Sequence, residues 1–561
     1  MSVTLQQVEI SSDNVPLRKF IDKIKDGEIC LPIFQRDFVW TDKQVRDLFE
    51  SIIYNHPIGV IILWKPHKEI LDKIHYLPFD DRIECNKQEL YLVLDGNQRL
   101  TSLFLAVNNW RLRRFQKTIS IAPICIFRRG DKVELEICDE QTRSTEKCEL
   151  CLDDIIKAFG LYDRYKIQEL AQKYTQDHIE KLRNLAMQIL EYRVPVYYYI
   201  TKTSTEDVAI AISESFIRIN KTGTRIGNVE LLISLVISIL TSKDIDAGKL
   251  IWKKYNEARQ KYGIDPTIYY RLLIKLIGFK QTDVARVPLR KLRSLEEEIR
   301  KASISELRNN LDLLDRAISV TYNYFDSILG LKSLDDVPST ITLVPVIYYI
   351  YNKIRNSLNI SPSEFKRLLE WYILASLRGL YSGSGVDSKL EKTLKEAEKS
   401  IEGMYDVLVS SLKREELSEL KIDKDDLVRS FRGRGRGVMS DSAIFLLKTL
   451  LTLNGADDWS GRKISFSCLD LDLHHIFPRI SSEKTDSLAN LTFINSAINK
   501  SVRNKHPLKY IFEELKLSEE TLRKHFMPLE PTIYNDFEKF IKIRAELMHK
   551  AGKELLPSIF R

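Results

Sequence analysis

The stretch from residue 469 to residue 510 holds side chains that could bind a metal ion and transfer a proton. His474 and His475 follow the run LDLDL, which alternates as a strand does, and the run NLTFI predicts a second strand. A helix is predicted next, carrying Asn499 and capped by Asn495. Because imidazole nitrogens and amide oxygens are ligands for hard divalent cations, this strand, strand and helix predict a site for one such ion.

A histidine beside such a site suits the hydrolysis of a phosphodiester. Histidine titrates near neutral pH and can take a proton from water, while a cation neutralises charge on the phosphate and the leaving oxygen. The stretch from residue 471 to 510 has three acidic residues and six basic ones, a surplus that favours a DNA backbone: Arg479, Lys484, Lys500, Arg503, Lys505 and Lys509. The alternative is a packed histidine pair beside an Asn-rich loop.

The order of these residues resembles that of the HNH, or His-Me finger (ββα-metal), nucleases. Asn490 lies 15 residues after His475 and Asn499 lies 24 after it, spacings that are ordinary for that motif. The resemblance implies catalytic roles for His475, Asn490 and Asn499: His475 as the general base and Asn490 as the residue that fixes the loop and orients it. It also implies that His474 and Asn499 hold Mg²⁺ or Mn²⁺. Only Cys468 lies nearby, so no structural zinc is expected.

A second candidate site lies at the stretch LDGNQRLT, residues 94–101. The preceding residues YLVL predict a buried strand, and the apolar spacing after Arg99 predicts an amphipathic helix. The first N–H groups of a helix are unpaired and its dipole is positive there, so an arginine at this turn favours a phosphate ligand. The alternative is an ordinary turn and helix cap with a surface arginine.

Three stretches together resemble the GmrSD-type modification-dependent restriction endonucleases. They are LPIFQRDFVW at 31–40, DGNQRLT at 95–101 and ESFIRINKTGTRI at 214–226, and Asn97 replaces the glutamine of the family's second box. Residues from about 425 to 561 resemble the family's nuclease half. The resemblance implies an N-terminal domain distantly similar to the ParB/sulfiredoxin fold, with a nucleoside triphosphate bound by Gln35, Arg36, Asp95, Gly96, Gln98, Arg99 and Thr101.

Two related chemistries are excluded by the residues themselves. No G-x-x-x-x-G-K-[ST] loop occurs in the chain, which argues against a conventional ATPase engine. Sulfiredoxin chemistry needs a cysteine in the turn after the strand, and residues 95–101 contain none.

Composition sets the class of protein. A chain of 561 residues is too long for one core and predicts about three or four domains. The net charge of +8 is compatible with a polyanionic partner, and the longest apolar run is too short to span a bilayer. The first residues have no secretory pattern, and seven scattered cysteines predict reduced thiols in the cytoplasm. The lone CxxC at Cys148 and Cys151 lacks near partners for zinc.

The chain divides, by pattern, into three parts. Residues 1 to about 150 mix short strand-like runs with helices, and helical periodicity dominates from about 150 to 425. The predicted domains are a nucleotide-binding front at 1–240, which holds the three boxes, a helical connecting domain at 241–428 and a nuclease domain at 429–561. The Arg-Gly run at 429–437 predicts a linker or loop, which would serve as a phosphate-contacting strip or as a solvated hinge. The predicted DNA contacts are Arg432, Arg434, Arg436, Lys500, Arg503 and Lys505.

The sequence thus predicts an α+β multidomain protein: a ParB/sulfiredoxin-like front, a mostly helical middle and a C-terminal ββα-metal nuclease. The predicted function is a nucleotide-responsive, Mg²⁺-dependent endonuclease that restricts foreign double-stranded DNA, with modified phage DNA as the expected target. The alternative is a ParB-like, nucleotide-switched DNA-binding regulator with an inactive finger, and a general nuclease ranks third. One finger makes one nick, so a double-strand break would need a homodimer or a second visit.

Overall fold

The computed structural model describes the protein except for these residues: 1–7, 33–37, 39, 72–75, 115–116, 130–131, 138–149, 161, 203–239, 241–244, 286–302, 412–420, 430–439, 469, 479–482 and 503. Contacts divide the chain into two compact units. The first unit comprises residues 1–256 with 287–304, and the second comprises 257–286 with 305–561.

The first unit is built on a six-stranded mixed sheet. The described strands of this unit are β1 (Val8–Pro16), β2 (Ile29–Pro32), β3 (Ile61–Lys65), β4 (Tyr76–Leu77), β5 (Tyr91–Asp95), β6 (Arg111–Arg114), β7 (Lys117–Ser120), β8 (Ile124–Arg129), β9 (Lys132–Ile137) and β10 (Arg193–Thr201). The sheet order is β1-β10-β3-β5-β2-β4, with β10 parallel to β3 and β2 parallel to β5. The pairs β6–β7 and β8–β9 form separate antiparallel ribbons.

The first unit also contains helices. They are α1 (Leu17–Lys25), α2 (Asp42–Ile53), α3 (Lys68–Leu71), α4 (Asn97–Val107), α5 (Leu152–Ile155), α6 (Arg164–Lys173) and α7 (Gln176–Glu191). The strand and helix predicted around residues 91–107 are confirmed as β5 and α4. The middle of β5 is buried, and almost every residue of α4 is buried as well, including the polar residues Asn97, Gln98, Thr101 and Ser102.

One expectation about the cysteines is wrong. Cys30 and Cys85 form a disulfide, whereas the scattered spacing predicted reduced thiols throughout. Cys30 lies on β2, and a backbone hydrogen bond from Asn86 N to Gly27 O (2.8 Å) joins the loop that carries Cys85 to the turn before that strand. The two Cα atoms are 6.3 Å apart although 55 residues separate them in sequence, so spacing alone could not indicate the pair. Cys148 of the CxxC lies outside the described residues.

The division between the units falls within α8 (Ile245–Tyr262), and the helical middle is confirmed. The helices that follow α8 are α9 (Pro266–Leu276), α10 (Gln281–Ala285), α11 (Ile304–Leu329), α12 (Leu343–Arg355), α13 (Pro362–Leu377), α14 (Val386–Ala397), α15 (Ile401–Ser411), α16 (Lys424–Val428) and α17 (Asp441–Leu453). Fully buried residues such as Trp371 and Tyr372 of α13 form its core.

The C-terminal part of the second unit is a hairpin followed by three helices. Its elements are β11 (Leu471–His475), β12 (Leu491–Asn495), α18 (Ser496–Val502), α19 (Glu519–Lys524) and α20 (Phe537–Leu555). We call β11, β12 and α18 the finger. It belongs to the same compact unit as the helical middle, and the domain boundaries predicted at 240 and 428 stay predictions. Across the described ranges, none of the helices combines the length and apolarity that a bilayer crossing requires.

Candidate functional site

The finger has the order of elements that the sequence predicted. β11 and β12 are antiparallel, with His474 opposite Thr492 and His475 opposite Leu491. The chain then enters α18, where Asn495 Oδ1 accepts a hydrogen bond from Ala497 N at 2.9 Å, as a helix cap does. The pairing of β11 with β12 therefore brings the histidine pair close to the helix that carries Asn499.

Asn490 holds the loop between the strands. Its side chain is fully buried, and its Oδ1 accepts from Phe477 N at 2.9 Å. Its Nδ2 donates to Phe477 O at 3.1 Å and to Thr485 O at 2.9 Å. One amide thus satisfies three backbone groups of the loop that joins β11 to β12, directly after His475.

The hydrogen bonds of Tyr510 determine the tautomer of His474. Tyr510 is fully buried, and its hydroxyl lies 2.6 Å from Ile476 O, which can only accept. The single hydroxyl proton is therefore donated to Ile476, so the contact of 3.1 Å between Tyr510 and His474 Nε2 requires a proton on Nε2. Burial lowers the pKa of His474 to about 4, so the ring is neutral at pH 7 and its Nδ1 carries a free lone pair.

Asp472 determines the orientation of Asn499. Its Oδ2 accepts from Asn499 Nδ2 at 3.0 Å and its Oδ1 accepts from Ser496 Oγ at 2.8 Å. The hydrogen bonds from Asn499 and Ser496 lower the pKa of Asp472, so this carboxylate is ionised and can only accept. Asn499 must therefore turn its amide nitrogen to Asp472 and its oxygen Oδ1 to His474.

The consequence is a close pair of electron-donating atoms. His474 Nδ1 and Asn499 Oδ1 lie 2.8 Å apart, and by the arguments above neither carries a proton that the other could accept. Two lone pairs this close repel each other unless a positive charge lies between them. Two neighbouring ligands of an ion with Mg²⁺-like bonds of about 2.1 Å lie roughly 3 Å apart. The pair therefore fits the metal ligands that the sequence predicted.

His475 has a different partner. Its Nε2 lies 3.0 Å from Asp486 Oδ1, at the end of the short 3₁₀ turn Glu483–Asp486. The side chain of His475 is 23% exposed, whereas His474 is buried. The carboxylate of Asp486 accepts a hydrogen bond from Nε2–H, so the proton of the neutral ring stays on Nε2. Nδ1 of His475 is then the nitrogen that can accept a proton.

Buried aromatic and polar groups surround the ligand pair. The rings of Trp459 and Tyr510 contact His474 nearly edge-on, at centroid distances of 5.6 and 5.7 Å. Arg544 is fully buried and donates to the carbonyls of Leu488 and His525. Burial lowers the pKa of Arg544 to about 9. Buried aromatic rings and a hydrogen-bonded arginine thus pack against the finger.

Several residues of the site were missed by reading the sequence. Asp472 could have been found, because it lies two residues before His474 on the same face of a strand. Ser496 lies one helical turn before Asn499. Asp486 and Tyr510 reach the site through tertiary packing and carry no local signal.

Two of the predicted DNA contacts can be located. Lys500 is exposed on α18, and Lys505 pairs with Glu514 at 2.7 Å on the surface. The other four, Arg432, Arg434, Arg436 and Arg503, lie outside the described residues.

The strand-to-helix turn at residues 95–99 lies in the first unit. Gly96 precedes α4 with φ of +98°, a left-handed conformation that favours glycine. Arg99 is engaged: it donates to Ile58 O at 2.8 Å and pairs with Asp95 Oδ2 at 3.1 Å. Gly59 packs against this guanidinium, since a Cβ there would lie 2.6 Å from Nη1.

The remaining residues of this turn are mostly buried. Gln98 accepts from Trp40 N at 3.3 Å, and the hydroxyl of Thr101 donates to Asn97 Oδ1 at 3.1 Å. Thr101 is fully buried, so its predicted contact with a nucleotide would be indirect. Gln35 and Arg36, and the whole stretch 214–226, lie outside the described residues.

Comparison with known proteins finds one family model and one relative that resemble this chain. Residues 17–237, less than half of the chain, match the family model of the GmrSD restriction endonuclease N-terminal domain. The chain is also 24% identical to the uncharacterized protein MJ0686 of Methanocaldococcus jannaschii, over 98% of this chain and all of that protein.

Proposed function

We propose that the protein is a Mg²⁺- or Mn²⁺-dependent DNA endonuclease that restricts foreign, modified DNA and responds to a nucleotide. One observation carries the nuclease part: the unprotonated Nδ1 of His474 and the oxygen of Asn499 converge at 2.8 Å. Neither a packed histidine pair nor an Asn-rich loop needs such an arrangement. The match of residues 17–237 supports DNA restriction as the setting for that site.

The side chains of the finger have separate tasks. His474 and Asn499 would hold the cation, which when bound neutralises negative charge on the phosphate and the leaving oxygen. His475 accepts a proton from a water molecule at Nδ1 while its Nε2–H remains bonded to Asp486. Asn490 keeps the loop after His475 in place, and Asp472 keeps Asn499 turned toward His474.

The nucleotide part rests on the turn before α4. The first N–H groups of α4 follow a left-handed Gly96, a geometry that suits phosphate, and Arg99 lies at the same turn. Because Arg99 is paired with Asp95, a bound phosphate would compete with that carboxylate for the guanidinium. We infer that nucleotide binding opens this pair.

The test is a cleavage assay on plain and modified phage DNA, with Mg²⁺ or EDTA and with or without each nucleoside triphosphate. The wild-type protein should cut only with the metal, and the His475→Ala and Asn499→Ala proteins should lose at least ~100-fold in rate. The Arg99→Ala protein should lose the effect of the nucleotide and keep metal-dependent cutting.

His506→Ala is a matched control for His475, because His506 is an exposed histidine in the same unit. A His475→Ala protein that cuts as fast as the wild type would overturn the catalytic assignment. A wild-type protein that binds DNA and never cuts it would favour a nucleotide-switched DNA-binding regulator instead.

A further inference from the structure

An open groove of about 800 Å³ lies in the first unit beside the ribbon of β6 and β7. In this ribbon Arg111 is opposite Ser120 and Arg113 is opposite Thr118, so the four side chains share one side. All four are exposed, while Leu112 between them is buried on the other side. The exposed side of the ribbon lines the groove, which we call the ribbon groove.

The ribbon presents two arginines at a regular spacing. Arg111 and Arg113 are two residues apart on one strand, about 6–7 Å. That distance is close to the separation of successive phosphates in a nucleic-acid strand. A guanidinium binds phosphate oxygens as a fork, and the hydroxyls of Thr118 and Ser120 add donors beside it.

A third arginine is fixed at the groove wall. Arg82 donates from Nε and Nη2 to the two oxygens of Asp80, at 2.7 and 2.8 Å. Asp80 is fully buried and also accepts from Arg113 N at 3.0 Å, so it ties the turn that carries Arg82 to β6. Burial opposes ionisation of Asp80, but the hydrogen bonds from Arg82 and Arg113 lower its pKa overall.

Arginines outnumber acids among the described residues that line the groove. Arg82, Arg111 and Arg113 belong to this lining, and its one acid among the described residues is Asp42, whose Oδ1 accepts from Ala122 N at 3.2 Å. Arg82 is paired with Asp80. A polyanion is the complementary ligand.

The turn that leads into β6 holds the ribbon in a defined position. Asn109 and Trp110 are consecutive non-glycine residues with φ of +55° and +59°, a conformation that is costly for both. It is maintained because Trp110 is buried and its Nε1 donates to Asp153 Oδ1 at 2.9 Å. The arginines of β6 thus project from a pre-ordered backbone.

We propose that the ribbon groove binds the phosphate backbone of double-stranded DNA and gives the first unit its own DNA contact. This inference rests on DNA as the substrate of the proposed function, but it does not depend on the metal site or on the chemistry of the finger. Both ends of the chain would then hold DNA.

The experiment measures the affinity of the full-length protein for a fluorescein-labelled duplex by anisotropy, in EDTA, over a series of salt concentrations. The parent protein carries His475→Ala, so that the duplex stays intact. The change Arg111→Gln with Arg113→Gln should weaken binding at least ~10-fold and reduce the slope of log affinity against log salt by about 2. The melting temperature should stay unchanged, because both side chains are exposed.

The matched control is Arg164→Gln with Arg183→Gln, which makes the same change of charge at exposed positions of α6 and α7. It should change the affinity by less than ~3-fold. Equal affinities for the ribbon variant and the parent would overturn the proposal, as would equal losses in the ribbon variant and the control. Loss of ATP or GTP binding with an unchanged duplex affinity would also overturn it, because the groove would then be a nucleotide site.

Failure of the proposed nuclease is a separate result. If the protein with His475 intact does not cut DNA with Mg²⁺ while Arg111 and Arg113 still determine duplex affinity, the nuclease assignment fails and the ribbon groove stands.

Discussion

Asp472 accepts a hydrogen bond from Asn499 Nδ2 at 3.0 Å, and this contact decides which end of the amide meets His474. Without it, Asn499 could turn its nitrogen toward His474 Nδ1 and satisfy that lone pair with a proton. With it, two lone pairs meet at 2.8 Å. A carboxylate that does not touch the proposed ion therefore orients one of the two proposed ligands.

The first prediction concerns Asp472. The change Asp472→Asn supplies an amide that can donate, so Asn499 no longer has one preferred orientation. We expect Mn²⁺ affinity, measured by calorimetry, to fall by roughly 10- to 100-fold. Asp470→Asn is the control, because the side chain of Asp470 is 69% exposed and lies on the same segment. Equal losses in both variants would contradict this role for Asp472.

The second prediction concerns Asp486, which we assign as a positioning residue for His475. The change Asp486→Asn lets the partner donate as well as accept, so the tautomer of His475 is no longer fixed. We expect kcat for DNA cleavage to fall by about 10- to 100-fold, with KM for DNA and Mn²⁺ affinity unchanged. A purely structural role would lower the melting temperature and leave kcat of the folded protein alone.

The third prediction concerns the stability of the finger. The change Asn490→Ala leaves three buried backbone groups without their partner, so the free energy of unfolding should fall by about 3 kcal/mol. Denaturant unfolding of the metal-free protein measures it. Asn309→Ala, at an exposed position of α11, should change it by less than about 0.5 kcal/mol. A similar small effect at Asn490 would mean that the loop does not depend on that amide.

The fourth prediction concerns the loss of stability at low pH. Burial lowers the pKa of His525 to about 3, and its ring is bonded to Thr492 and to Asp457 O. The unfolded chain binds a proton on this histidine below about pH 6.5, whereas the folded chain does not until near pH 3. The contribution of His525 to the free energy of unfolding is therefore fully present above pH 6.5. It is lost as the pH drops toward 3, by on the order of 4 kcal/mol.

The lowered pKa of His474 adds to this loss in the same direction. Unfolding free energies in EDTA between pH 7 and 4 measure the slope. The His525→Gln protein should have a shallower slope, and the His506→Gln protein, changed at an exposed position, should keep that of the wild type. Parallel curves for all three proteins would show that burial of His525 does not control the acid response.

Much of the finger could be predicted because its signals are local. The alternation before His474, the apolar run of β12 and the cap at Asn495 each depend on neighbours within a few residues. The turn at Gly96 was predictable for the same reason. The hydrogen bonds of Arg99 at this turn were less predictable. One of them goes to the carbonyl of Ile58, which is 41 residues away in the sequence.

Local patterns were enough to predict where the reactive side chains lie: an imidazole pair at the end of one strand, and an amide one turn into the helix that follows the next strand. The partners of these groups could not be predicted in the same way, because they come from tertiary contacts. Tyr510 and Asp486 reach the histidines by packing of distant segments, and Cys85 reaches Cys30 in the same way. The periodicity of residues along a chain determines which face of a strand or helix a side chain occupies. The tautomer of a histidine, the orientation of an amide and the pairing of cysteines depend instead on atoms that come together only when the chain folds.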